Sequence, residues 1–194
     1  MGRRRNRLNK FEPVTDGVYL CSYLTPALSE FALEIYKRSD IDVEPGGWQR
    51  VQVPLEAFRD AASDILGIMR AVAPGVVLPT EADLKKGRAV AEVNKAVGVA
   101  EETIVPAFAV HRDNDNGFNV ATLIIYPVCT AEGGGLDIYD PVLGRADWPI
   151  ATIAARNDRG RPVAVAMRGD VPHCPAPIIG TGVRVAVVFQ FPVR

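Results

Sequence analysis

The stretch after Gly98 constrains the fold more than any other part of the chain. Six short runs rich in β-branched and aromatic residues follow one another there: Val105–Val110, Asn119–Tyr126, Gly135–Tyr139, Ile150–Ala154, Pro162–Met167 and Val183–Phe191. Turn-forming stretches separate them at Asn116-Gly117, Gly133–Gly135, Asn157–Gly160 and Gly169-Asp170. Many short strands with no helix between them predict an antiparallel sandwich or jelly roll.

The first half reads differently. Thr25 and Pro26 predict an N-cap and first helical position, and Leu28, Phe31, Ala32, Ile35 and Tyr36 then recur on one helical stripe. A second helix is expected from about Leu55 to Val72, with Leu55, Phe58, Ala62, Ile65, Leu66 and Met69 toward a core. Thr80 and Asp83 read as a capping pair for a third helix ending near Val97. Short strands are expected at Val18–Tyr23 and Gln49–Val53. Helices first and strands second make the class α+β. The expected division is a basic, disordered tail over residues 1–10 and one domain over 11–194, with 11–98 mainly helical support and 99–194 the β core.

With 194 residues, 48% of them hydrophobic, the chain can bury a core without staples. Twenty-two basic against 23 acidic residues give a net charge of −1, so no global field favours nucleic acid or an anionic membrane. Cys21, Cys129 and Cys174 are too few and too scattered for a disulfide framework or a zinc knuckle. No apolar run approaches a membrane span, and the first residues are basic rather than apolar. The expectation is a cytoplasmic chain without a leader.

Both histidines fall in the β half. His111 and Asp113 stand two apart at the end of a predicted strand, where side chains at i and i+2 share a face while Arg112 points elsewhere. His173 follows the Gly169-Asp170 turn, where a neighbouring strand could supply it as a third ligand. Two imidazoles and one carboxylate on one face suit a non-haem Fe(II) site with open positions. Taken singly, each histidine is read more simply as a hydrogen-bonded core or surface residue. Acidic residues are 23 of 194, so an acid two places after a histidine arises by chance about one time in eight. Arg184 lies eleven residues after His173 on an apolar strand. It is either on that strand's exposed face or buried against an anion, and a guanidinium suits a carboxylate gripped by two parallel hydrogen bonds.

Taken together, the segment from about Val105 to Phe191 resembles the double-stranded β-helix (jelly roll, cupin-like) core of Fe(II)/2-oxoglutarate-dependent dioxygenases. The elements that carry the resemblance are His111-Arg112-Asp113, the strand Asn119–Tyr126, the run Gly134-Gly135-Leu136, the distal His173, and Arg184 about ten residues beyond it. His111 to Gly117 with Thr122 and Tyr126 looks most like the prolyl-hydroxylase branch. The resemblance implies Fe(II) held by His111, Asp113 and His173. It also implies 2-oxoglutarate, with Arg184 and Tyr126 at its far carboxylate, dioxygen as oxidant, and succinate and CO2 released. Because Asp113 is present, it implies hydroxylation, desaturation or ring closure rather than halogenation. The expected substrate is a small molecule such as a free amino acid or a natural-product intermediate. Peptidyl-prolyl hydroxylation, an oxidase without 2-oxoglutarate, and a non-catalytic jelly-roll binding module are the other readings. Cys174, Trp48, Gln49, Arg50, Arg112 and Asp137 keep both structural and functional readings.

Overall fold

The computed structural model describes residues 10–53, 62–104, 109–140 and 148–194. Residues 1–9 of the expected tail, the first part of the second helix (with Leu55 and Phe58), and most of the strand at Val105–Val110 lie outside these residues.

Seven strands form one antiparallel sheet. In chain order they are β1 (Glu12–Thr15), β2 (Val18–Cys21), β3 (Trp48–Gln52), β4 (Val90–Gly98), β6 (Val120–Cys129), β10 (Val163–Arg168) and β13 (Gly182–Pro192). Their spatial order is β1-β2-β10-β6-β13-β4-β3. Two small antiparallel sheets complete the roll. One is ordered β11-β8-β9, from His173–Pro175, Leu136–Ile138 and Ala151–Ile153. The other is ordered β5-β12-β7, from Thr103–Ile104, Ile178–Ile179 and Glu132–Gly133.

Alternation on the large sheet builds two cores at once. From β13, Val185, Val187, Phe189 and Phe191 join Leu123 and Ile125 of β6 on one face. Against them pack Leu28, Ala32 and Ile35 of helix α1 (Pro26–Arg38) and Ile65 and Met69 of helix α2 (Ala62–Val72). Phe31 stacks on Phe189 with ring centroids 6.0 Å apart. On the other face, Ile124, Tyr126, Val165, Met167 and Ala186 meet Leu136, Ile138 and Ile153 of the small sheet. That inner face leads to the cavity described below. Pro127 sits where the register between β6 and β13 shifts by one residue, as expected where a central strand must accommodate a residue with no N–H.

Helix α1 starts as its sequence predicts: the Thr25 hydroxyl accepts from Leu28 N–H and Pro26 opens the helix. The third helix departs from expectation. The Thr80/Asp83 capping box forms, but helix α3 spans only Glu81–Lys85 and ends at Lys86, with Gly87 left-handed (φ +67°). From Val90 to Gly98 the chain is strand β4, paired with β3 on one side and β13 on the other. Residues 11–98 therefore supply four strands of the large sheet, and the boundary between helical support and β core expected at Gly98 is not a structural one. Among the described residues, no helix is long and apolar enough to cross a membrane.

Candidate metal and anion site

His111 and His173 are direct partners across an isolated antiparallel bridge. His111 N–H donates to His173 O at 3.0 Å and His173 N–H donates back to His111 O at 2.9 Å. The paired imidazoles emerge with ring centroids 4.5 Å apart. Asp113 reaches the same point by a different route from the one its spacing suggests. It does not continue a strand but opens a 3-10 turn, Asp113–Asn116, closed by the left-handed Gly117 (φ +82°). The turn is pinned by Asn114, whose N–H donates to Gly169 O at 3.0 Å and whose Oδ1 accepts from Val120 N–H at 3.0 Å. The convergence of His111 and Asp113 thus comes from a bridge followed by a turn rather than from strand alternation. Arg112 is not turned away, as alternation would require, but also lines the cavity.

One ligating atom from each of His111, Asp113 and His173 lies within 4.8 Å of the others. His111 Nε2 stands 3.8 Å from Asp113 Oδ1, and His173 Nε2 stands 3.9 Å from Asp113 Oδ2. Each ring directs Nδ1 at a backbone carbonyl: His173 to Val171 O at 2.9 Å, His111 to Ala109 O at 3.0 Å. A proton on Nδ1 leaves Nε2 as a bare donor atom facing its neighbours. Burial pushes the His173 imidazole below its usual range, against the pull of the Asp113 charge, and so favours the neutral ring a metal needs. The carboxylate is oriented from behind by a cross-strand pair. The Thr122 hydroxyl donates to Asp113 Oδ2, and Gln190 Nε2 donates to Oδ1 at 2.7 Å. Two imidazole nitrogens and a doubly supported carboxylate fit a first-row divalent ion.

These groups open on a cavity of about 320 Å³, lined by all three and by Tyr126 and Arg184. Arg184 lies on the inner face of β13 and is only 3% exposed, so its exposed-face reading is excluded. Its Nε donates to Gly134 O at 2.9 Å, and its guanidinium carbon stands 5.9 Å from the centre of the Tyr126 ring. Gly134 is left-handed (φ +68°), and a Cβ there would stand 3.1 Å from Arg184 Cγ, so the glycine leaves room for the arginine stem. Among the described residues no carboxylate forms an ion pair with Arg184, and burial pushes its pKa down. Burial also pushes the Tyr126 hydroxyl up to about 12, so it stays protonated and can donate. A larger groove, about 430 Å³, lies near Tyr23, Thr152 and Asn157, but it contains none of the ligating groups.

The flanking residues divide. Arg50 lines the cavity, while Trp48 packs beside Ala96 and Ile178. Asp137 is buried with the Thr152 hydroxyl at 2.6 Å, and Cys174 contacts Tyr139 Oη at 3.5 Å; neither lines the cavity. Sequence reasoning missed Gln190, Glu92 and Asn94. The last two were concealed by the expected third helix, although Lys85-Lys86-Gly87 carries the basic last turn and glycine of a helix end.

No protein-family model matches the chain, and no curated protein does. Solved structures do. AviO1 from Streptomyces viridochromogenes Tue57 superposes with a TM-score of 0.61 at 17% identity, over 91% of this chain and 90% of that one. A Pseudomonas putida prolyl-4-hydroxylase superposes at 0.53 and 17%, over 93% and 94%. HygX from Streptomyces hygroscopicus, solved with nickel and 2-oxoglutarate bound, superposes at 0.55 and 10%, over 92% and 84%. The chain therefore has the fold of the Fe(II)/2-oxoglutarate oxygenases, a jelly roll, with a two-histidine, one-carboxylate cluster lining its cavity.

Proposed function

We propose that this protein is an Fe(II)/2-oxoglutarate-dependent oxygenase that hydroxylates a small molecule. The observation that carries the reading is the pairing, within one cavity, of the His111, Asp113 and His173 ligand set with a buried arginine that has no carboxylate partner among the described residues. In this reading His111 Nε2, His173 Nε2 and an Asp113 oxygen hold the metal. Arg184 receives the far carboxylate of 2-oxoglutarate through two charge-assisted hydrogen bonds, and Tyr126 donates a third. Bound there, Fe(II) and the keto acid would supply the electrons that activate dioxygen, the oxidant, with the keto acid oxidised to succinate and CO2. Thr122 and Gln190 fix the carboxylate, the two backbone carbonyls fix the imidazole tautomers, and Ile124, Leu136 and Val188 keep the wall apolar.

A small-molecule substrate is supported by the cavity volume and by the neighbour HygX, which has also been solved with hygromycin B bound. The similarity to a prolyl-4-hydroxylase favours peptidyl proline as the second reading. Succinate release distinguishes them. The purified protein with Fe(II) and 2-oxoglutarate should respond to members of an amino-acid and metabolite panel. Stimulation by proline-containing peptides alone would make the second reading correct, and no succinate with either set would remove both.

A further inference from the structure

Strand β4 places two polar side chains in the cavity that neither the metal site nor the anion site uses. Glu92 and Asn94, two apart on the inner face, pair with Val188 and Ala186 of β13 and are 9% and 7% exposed. Asn94 Nδ2 donates to Glu92 Oε1 at 3.0 Å, which locks the pair together. Asn94 Oδ1 is buried and accepts no hydrogen bond. Glu92 Oε2 forms a long ion pair with Arg50, whose half-exposed side chain brings Nε to 3.7 Å, beyond hydrogen-bond distance. The wall therefore presents two acceptors, one carrying a charge, beside the apolar side chains of Val90, Ile124 and Val188.

A buried acceptor without a donor costs about 1–3 kcal/mol, and the Glu92 charge is only partly offset by a half-exposed arginine at 3.7 Å, so this wall is matched by a group that is cationic and rich in N–H donors. An alkylammonium brings three donors and no acceptor. A hydroxyl brings one donor and adds an acceptor of its own. An amide brings no charge. We infer that the substrate carries a protonated amine on an apolar body, and that Glu92 and Asn94 seat this amine and set specificity. The inference rests on the oxygenase reading, because the same cavity must also hold the metal and the keto acid.

The test uses the full chain loaded with Fe(II) and 2-oxoglutarate under nitrogen. It is titrated with the proteinogenic L-amino acids and short alkylamines, each against its N-acetyl counterpart. Binding is read from the perturbation of the visible iron–keto acid band and, independently, by calorimetry. At least one free amine should bind, its N-acetyl form about tenfold or more weaker, and both Glu92→Gln and Asn94→Leu should weaken the amine about tenfold while keeping the band itself. If no amine binds, if acetylated forms bind equally, or if both variants bind the amine as wild type does, the assignment is wrong. Loss of only the amine response leaves the oxygenase reading standing, whereas absence of the band before any amine is added removes both.

Discussion

Replacing Arg184 with Met separates a ligand-binding role from a structural one because the two predict opposite signs. The guanidinium is buried, has one hydrogen bond to Gly134 O, and has no carboxylate partner among the described residues. Removing it forfeits that bond, worth about 1.5–3 kcal/mol, but also removes the desolvation cost of an ion, several kcal/mol in a real interior. Met is unbranched and fills most of the space left by the arginine stem. The stability of the metal-free protein should therefore change by less than about 1 kcal/mol or rise. Affinity for 2-oxoglutarate should instead lose a bidentate charged contact, about 3–5 kcal/mol, or roughly 150- to 4,000-fold in Kd. Urea unfolding of the metal-free protein measures the first quantity. Calorimetric titration of 2-oxoglutarate into the Co(II)-loaded protein measures the second. A variant that loses more than about 2 kcal/mol of stability yet binds 2-oxoglutarate within about threefold of wild type would refute the reasoning and make Arg184 a strut.

Thr122→Val and Gln190→Leu each remove one donor to Asp113 and should weaken Co(II) binding about 10- to 100-fold by calorimetry, with the fold retained by circular dichroism. Burial, ahead of any other cause, raises the Glu92 carboxyl above its ordinary value of 4.5. The folded state thus holds this proton more tightly than the unfolded one, and the associated stability, complete below that value, is lost as pH rises through the folded pKa. Urea midpoints of Glu92→Gln relative to wild type should accordingly climb as pH goes from acid to neutral; a constant difference would mean that the carboxyl titrates normally. Gly135→Ala would drive a Cβ into Ile153 O, where β8 meets β9, and should cost about 2–3 kcal/mol in urea unfolding. Cys174→Ala, on the face away from the cavity, should leave Co(II) affinity within about twofold.

Local signals made part of this molecule legible before its structure. Helix α1 could be read because its cap, its proline and its apolar stripe agree. Strand β13 could be read because Val183, Val185, Val187, Val188 and Phe189 are β-branched or aromatic. Strand β4 could not, because Ala91, Glu92, Lys95 and Ala96 favour helix locally and only pairing with β3 and β13 on both sides makes them a strand. The candidate ligands were visible as residue types in a suggestive order. Their convergence depends on a bridge between His111 and His173, 62 positions apart, which no local pattern encodes. The support from Gln190 to Asp113 spans 77 positions and was invisible for the same reason.

The central claim is that one cavity binds Fe(II) through His111, Asp113 and His173 and then 2-oxoglutarate beside it. Anaerobic titration tests it most directly: Fe(II) is added to the purified protein, then 2-oxoglutarate, and the visible absorbance is followed. A weak charge-transfer band that saturates at one keto acid per chain and vanishes in His173→Ala is the predicted result. A wild-type protein that shows no band at saturating iron and 2-oxoglutarate, or a band untouched by loss of His173, would contradict it.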